Sequence, residues 1–271
     1  MIKLPIFILC LLLVQSALAY TSEIRIGCTT KCSLFYKQAL KRSAKHFNVK
    51  LKILDLSQVE HPLESVDGVL IPGGADINPK YYLSEVEPDL QEYTRKLDHL
   101  VNYSKEGERR DPFEFRLLKK YFQNESLKTL PILGICRGMQ MLSVSQGIPL
   151  WVDIKTELGI RNRRYIYDRI WLDEDQHSLL NSLFSESTFL GFKQHHQGIR
   201  VPYFEQHRDR WPHLKITAYS NKGRIAESLE FSNRPVLGVQ FHPEKDFGHE
   251  RKSIFGWLIS SAITRKKLTN D

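Results

Sequence analysis

Cys136 stands between two glycines in Gly134-Ile135-Cys136-Arg137-Gly138-Met139-Gln140, directly after the apolar run Leu130 to Ile135. A thiol placed where a strand turns sharply into a helix is exposed on a strained bend, and flanking glycines let the two backbones pass closely. Arg137 to Gln146 is rich in helix formers and stops at Gly147, so strand, bend and helix occur in that order. A cysteine on its own reads as core filling; in this frame it reads as a nucleophile that attacks a carbonyl carbon and forms a thioester. Such a thiol needs a base, and the base needs an orienting group. Val236 to Phe241 is a second apolar run, followed by His242-Pro243-Glu244. Pro243 keeps His242 extended, and in an extended chain residues i and i+2 point to the same side. Glu244 is then placed to fix the tautomer of the His242 ring.

A third apolar run, Val69-Leu70-Ile71, enters Pro72-Gly73-Gly74-Ala75-Asp76. Attack on a carbonyl generates an oxyanion that preorganised backbone N–H groups must meet. Glycines leave that approach open, and the two donors are assigned to the amide of Gly74 and to that of Arg137, next after the nucleophile. Gln140, one helical turn beyond Cys136, can donate to and accept from a bound substrate.

The three motifs, in this order, resemble the class I glutamine amidotransferase fold, and within it the gamma-glutamyl-gamma-aminobutyrate hydrolase branch of peptidase family C26. Gly73 to Pro79 with Tyr81-Tyr82, then Arg110-Asp111-Pro112-Phe113-Glu114, then His195-His196-Gln197 are similar to stretches of that branch. The resemblance covers roughly residues 23 to 260. It implies a small gamma-glutamyl substrate whose α-amino and α-carboxylate groups need polar partners, and a histidine near that substrate at His195, with His196 as the alternative. Leu158 to Phe189 falls outside it, including Arg161-Asn162-Arg163-Arg164 and Trp171-Leu172-Asp173-Glu174-Asp175. The strand usual before the histidine pair reads Phe189-Leu190-Gly191-Phe192-Lys193-Gln194 here.

Elements that can bring three strand ends together are present. Glu23 to Gly27 and Val49 to Leu54 read as strands around a helical Phe35 to Phe47. Asp67 to Ile71, Leu130 to Ile135, Lys215 to Tyr219, Arg224 to Glu230 and Val236 to Phe241 are further strands. Alternation of strands and helices predicts an α/β fold: a doubly wound, mostly parallel sheet flanked by helices, flavodoxin-like, with sites at the carboxyl ends of its strands. Glu250 to Lys266 carries Ile254, Leu258, Ile259, Ala262 and Ile263 at helical spacing and is expected to pack on the sheet. With 271 residues, 41% of them hydrophobic, and no repeat or low-complexity tract, residues 20–271 form one domain able to bury a core.

Residues 1–19 read as a signal peptide: Lys3, the apolar run Leu4 to Val14, and Ala17-Leu18-Ala19 as cleavage site. The run is short for a membrane span of about 20 residues, so an exported, periplasmic or secreted protein with no stable membrane association is expected. Losing Lys3, the one charged side chain among these residues, takes the formal charge from +8 to +7, which favours anionic glutamyl compounds. Arg161 to Tyr165 is the one basic and aromatic stretch, too little for a nucleic-acid module. Of the remaining cysteines, Cys28 and Cys32 can close a small disulfide in an oxidising compartment, leaving Cys136 free. They have no His or Cys partners at metal-ligand spacing, and nothing calls for a cofactor. Asn102-Tyr103-Ser104 and Asn124-Glu125-Ser126 are glycosylation sequons. Three readings follow: an exported cysteine hydrolase of gamma-glutamyl amides, an amidotransferase subunit that supplies ammonia to a synthase, or an inactive binding module, against which the intact Cys136, His242 and Glu244 argue. If export is correct, N-terminal sequencing of the protein recovered outside the cytosol begins at Tyr20; intact Met1 to Ala19 on cytosolic protein would remove the export reading.

Overall fold

The computed structural model describes residues 23–160, 166–173, 177–246 and 248–270; the segment read as a signal, residues 1–19, and the run Arg161 to Arg164 lie outside them. β1 (Glu23–Cys28) and β2 (Lys50–Asp55) pair in parallel around α1 (Leu34–His46), and β3 (Gly68–Ile71) lies on the other side of β1. α2 (Pro88–Lys96) and α3 (Lys105–Gln123) precede β4 (Ile132–Ile135), which passes through Cys136 into α4 (Arg137–Val144). Next come β5 (Leu150–Trp151), α5 (Ile154–Leu158), β6 (Ile166–Leu172), α6 (Leu179–Leu183), β7 (Thr188–Lys193), β8 (Gly198–Ile199) and α7 (Val201–Gln206). β9 (Leu214–Ser220), β10 (Ile225–Phe231), β11 (Val236–Val239) and α8 (His249–Asn270) complete the chain.

The main sheet has the order β2-β1-β3-β4-β11-β10-β9-β6-β7. Its first five strands are parallel and form the doubly wound centre expected, in the flavodoxin-like order. β10, β9, β6 and β7 continue it antiparallel. The stretch Leu158 to Phe189, left unplaced by its sequence, supplies β6 and α6 and leads into β7. β6 exposes alternate residues and buries Ile170 and Leu172 only at its end, so its apolar signal is too short to read as a strand.

Helices cover both faces of the parallel half, which is why its strands are apolar without alternation. Val69, Ile71 and Ile132 share one buried cluster with Leu117, Leu118 and Tyr121 of α3 and Met139 and Leu142 of α4. Leu70, Leu133 and Ile135 point the other way, into a cluster with Tyr36 and Leu40 of α1 and Ile254, Leu258 and Ile259 of α8. Ile263 is only partly buried at the margin of that cluster.

Register fixes where a site can form. Gly134 lies opposite Ile71 on one side and Gly238 on the other, so β3, β4 and β11 end at one edge. The Cys136 amide donates to the Val239 carbonyl at 2.7 Å. A disulfide between Cys28 and Cys32 clips the turn from β1 into α1, and Cys136 is the free cysteine among the described residues.

Gly138 passes so close to β3 that a Cβ there would fall 2.0 Å from the Ile71 carbonyl oxygen. That oxygen belongs to the sheet backbone and cannot swing aside. Gly138→Ala is expected to cost at least about 3 kcal/mol, read as a lower urea midpoint; an unchanged midpoint would mean that elbow and strand are not packed this tightly.

Candidate active site

Cys136 has φ 53° and ψ −107°, a backbone conformation that costs a side-chain-bearing residue about 1–3 kcal/mol. The glycines on either side of it answer a steric need: a Cβ on Gly134 would lie 2.7 Å from the Gly138 carbonyl group. The thiol therefore stands on the bend expected, at the N-terminus of α4. It is 5% exposed, and its Sγ lies 4.0 Å from the Gln194 carbonyl oxygen.

His242 follows β11, and its amide donates to the Phe192 carbonyl of β7 at 2.8 Å. The backbone at His242 is non-helical but not fully extended, φ −109° and ψ 79°, and Pro243–Lys245 forms a 3-10 turn. This turn, rather than a continued extended chain, carries the Glu244 Oε1 to 2.7 Å from His242 Nδ1. Both side chains are buried. Nε2 makes no hydrogen bond of ordinary geometry, and the group acting on it most is the Cys136 sulfur. Burial favours the neutral ring, but the negative charge of a thiolate at Cys136 and then Glu244 outweigh it and raise the His242 pKa well above a histidine's ordinary value.

Gly73 and Gly74 lie beside this pair. A Cβ on Gly73 would stand 3.1 Å from His242 Cε1 and 3.6 Å from Cys136 Cβ. The loop is held from behind by Arg110, whose Nη1 donates to the Gly73 carbonyl at 2.9 Å and Nη2 to the Pro72 carbonyl at 2.8 Å. Arg137, whose amide follows the nucleophile, turns its buried side chain to Asp111 and Glu114. Glu114 also pairs with Arg110 and accepts from Thr29 Oγ1. Burial pushes the Glu114 carboxyl up, but Arg137 and Arg110 outweigh it and hold the group below the usual range; at Asp111 burial prevails over Arg137 and the value is raised. The Arg110 to Glu114 stretch thus has a role its sequence did not disclose, since it reaches the site only through the fold.

A cleft of about 650 Å³ opens over Cys136, lined by Gly74, Asp76, Gln140, His195 and His196 among others. The Gln140 amide nitrogen donates to the Gln197 carbonyl at 2.9 Å and to Gln240 Oε1 at 3.3 Å. Its two protons are committed, so Oε1, an acceptor, is what it can offer a ligand. His195 Nδ1 lies 2.8 Å from the Gln197 carbonyl and so carries the proton. Burial, then the charge of the buried Lys193, lowers His195 to about 3 and leaves a neutral ring. His196 has a different place: it bridges Asp76 at 2.9 Å and Asp153 at 3.2 Å. Hydrogen bonding to Asp76 is the main cause of its raised pKa. Among the described residues no group of His, Cys, Asp and Glu is arranged to hold a metal ion, and no helix is long and apolar enough to cross a membrane.

A parallel sheet ending at a cysteine elbow, with a histidine–carboxylate pair on the neighbouring strand end, defines a class I glutamine amidotransferase-like protein. The chain belongs to the peptidase C26 family, whose model matches residues 27–244. It is 28% identical over 221 residues to YvdE of Lactococcus lactis subsp. lactis, a protein named for its likeness to glutamine amidotransferases, with 80% of this chain and 84% of that one covered. It is 24% identical over 217 residues to one of the subunits of the glutamine-hydrolysing GMP synthase of Methanococcus aeolicus, covering 77% and 82%. The solved glutaminase domain of Trypanosoma brucei CTPS, with bound acivicin, superposes with a TM-score of 0.61 at 16% identity, covering 89% of this chain and 94% of that one. Family and relatives make this a cysteine amide hydrolase of the glutamine-hydrolase and amidotransferase type.

Because Glu114 titrates lower folded than unfolded, its contribution is complete above its ordinary value of 4.5 and is lost as pH falls through the folded value. Glu114→Gln leaves Arg110 and Arg137 with an uncompensated buried charge and should cost about 3 kcal/mol at neutral pH. Urea melts of the variant should also lose part of the decline that the wild type shows below about pH 5; equal stability and equal pH dependence would mean that the cluster is not the anchor of the loop.

Proposed function

We propose that the protein is an exported hydrolase of gamma-glutamyl amides, with Cys136, His242 and Glu244 as catalytic triad. The observation that carries this reading is the joint placement of Cys136, the His242–Glu244 pair and Gly73-Gly74 at one sheet edge, with Cys136 and Gly74 lining a cleft. The Cys136 thiolate attacks the γ-carbonyl carbon, and the oxyanion is met by the amides of Gly74 and Arg137. The His242 imidazolium gives its proton to the leaving amine as the C–N bond breaks, leaving a thioester on Cys136. Water, its proton taken by His242, then releases glutamate and regenerates the thiol. Glu244 orients the ring and stabilises its charge throughout.

Substrate class is supported by the cleft's polar floor. Gln140 Oε1 and the neutral His195 offer acceptors to an α-ammonium group, in keeping with a gamma-glutamyl moiety bound by its amino-acid end. Export rests on Lys3, the run Leu4 to Val14 and Ala17-Leu18-Ala19.

The test is a panel of gamma-glutamyl amines, peptides and glutamine, incubated with the protein from Tyr20 onward, without ATP or a partner, with free glutamate measured. Gamma-glutamyl compounds with larger amines should turn over faster than glutamine, because transition-state binding then draws on the remote part of the substrate. Cys136→Ala and His242→Ala should each lower turnover by at least about a thousandfold, and Glu244→Gln should retain roughly a hundredfold more activity than either. A protein inert alone but hydrolysing glutamine with an added synthase would replace this reading by the amidotransferase one.

A further inference from the structure

We propose that His196, held as an imidazolium between two carboxylates, is a positioning residue that pins the segment leaving the oxyanion loop to the start of α5, an inference that rests on the hydrolase reading above. The two donors assigned to the oxyanion have different supports. The Arg137 amide belongs to the elbow, which closely packed backbones fix, whereas the Gly74 amide sits in a loop. Ahead of Gly74 that loop is tied by Arg110 through the Pro72 and Gly73 carbonyls. Two residues past Gly74 it reaches Asp76, whose carboxylate lies 2.9 Å from His196 Nε2 and accepts from the Asn102 amide at 2.8 Å. The other ring nitrogen, Nδ1, lies 3.2 Å from Asp153 Oδ1, while Asp153 Oδ2 accepts from the Thr156 amide at 2.8 Å and so caps α5. An ionised carboxylate only accepts. Both contacts are therefore hydrogen bonds only when both ring nitrogens carry protons, and the bridge needs the charged ring.

Asp76, Asp153 and His196 all line the cleft over Cys136. The backbone joins the same segments independently of the ring: the Ile154 amide donates to the His196 carbonyl at 2.8 Å, and the Ile77 amide donates to Gln197 Oε1 at 3.1 Å. These bonds survive replacement of the ring. What the ring adds is the placement of Asp76 and, through it, of Gly74. The His196 side chain is 37% exposed, so it exchanges its proton with solvent without any opening of the fold. Hydrogen bonding to Asp76 outweighs burial and keeps the ring protonated above a histidine's ordinary value. As pH rises through that raised value, one proton leaves and one carboxylate loses its donor. The groups around the ring are Asp76 and Asp153 on the flanking segments, the neutral His195 beside it in the chain, and Lys155 of α5 and Cys136 in the shared cleft.

His196→Gln in the mature chain removes the titrating charge. The expected result is a kcat about tenfold lower than the wild type's below the ring's titration, with KM within about threefold. Above it the two should converge, because the wild type has then lost its second donor. Asp153→Asn keeps a side chain suited to cap α5 but takes one anion from the ring, so the step in the kcat profile should move to lower pH by about half a unit or more. A packing role alone would lower kcat by one factor at every pH and leave the step unmoved in Asp153→Asn. The His196 Cε1–H proton resonance, assigned by its loss in His196→Gln, reports the ring's titration without any substrate. If the wild type releases no glutamate from any gamma-glutamyl compound, the substrate reading fails, while this titration and its shift in Asp153→Asn still judge the bridge. A ring that titrates at or below a histidine's ordinary value overturns the proposal, and so do kcat profiles of wild type and His196→Gln that run parallel at every pH.

Discussion

A cysteine with φ 53° stays in that conformation only where its surroundings leave no cheaper one, and here the constraint is the contact of three backbones. β3, β4 and the start of α4 meet at Ile71, Gly134 and Gly138 with no room for a Cβ on either glycine. The bend at Cys136 is what remains when a strand must become a helix inside that space. Everything else at the site is placed relative to it. β11 follows β4 in unbroken parallel register and brings His242 alongside, and β3 brings Gly73 from the other side.

Backbone contact sets position, and buried charge keeps it. The face of the sheet under α1 and α8 is packed mainly with apolar side chains, whereas the α3 side carries Arg110, Asp111, Glu114 and Arg137, all nearly inaccessible. Such a cluster contributes little net stability, since desolvation offsets most of the attraction, but removing one member leaves the others uncompensated. It therefore works as a specificity device: Arg110 reaches the Pro72 and Gly73 carbonyls only if α3, β3 and the elbow are all in their native places. Farther along the sheet Lys193, with Asp168 and Glu227, does similar duty for β7 and β10, and its charge adds to burial in keeping His195 neutral.

The chemistry-bearing residues were legible in the sequence to the extent that their neighbours in the chain explained them. Gly134 and Gly138 announced Cys136, Pro243 framed His242 and Glu244, and Pro72 to Gly74 marked the loop. The parallel half of the sheet was readable for a related reason: strands covered on both faces are continuously apolar. What could not be read was any role created by distance along the chain. Tyr36 looks like one more apolar position of an amphipathic helix, and only the fold sets its hydroxyl against the Gly73 amide. Arg110 and Glu114 look like an exposed helical ion pair until Arg137 is placed beside them. β6 escaped because only its last residues are buried apolar ones, and Glu244 reaches His242 through a turn that the motif His-Pro-Glu does not distinguish from an extended chain.

β11, the last strand made, is not at the edge of the sheet but between β4 and β10. A chain emerging from its N-terminus can pair β1, β2, β3 and β4 early, yet the slot beside β4 stays vacant until nearly the whole polypeptide is available. His242 and Glu244 arrive with that strand. Order of synthesis therefore brings His242 and Glu244 to Cys136 late in assembly, and a chain cut short before β11 carries the cysteine without that pair beside it.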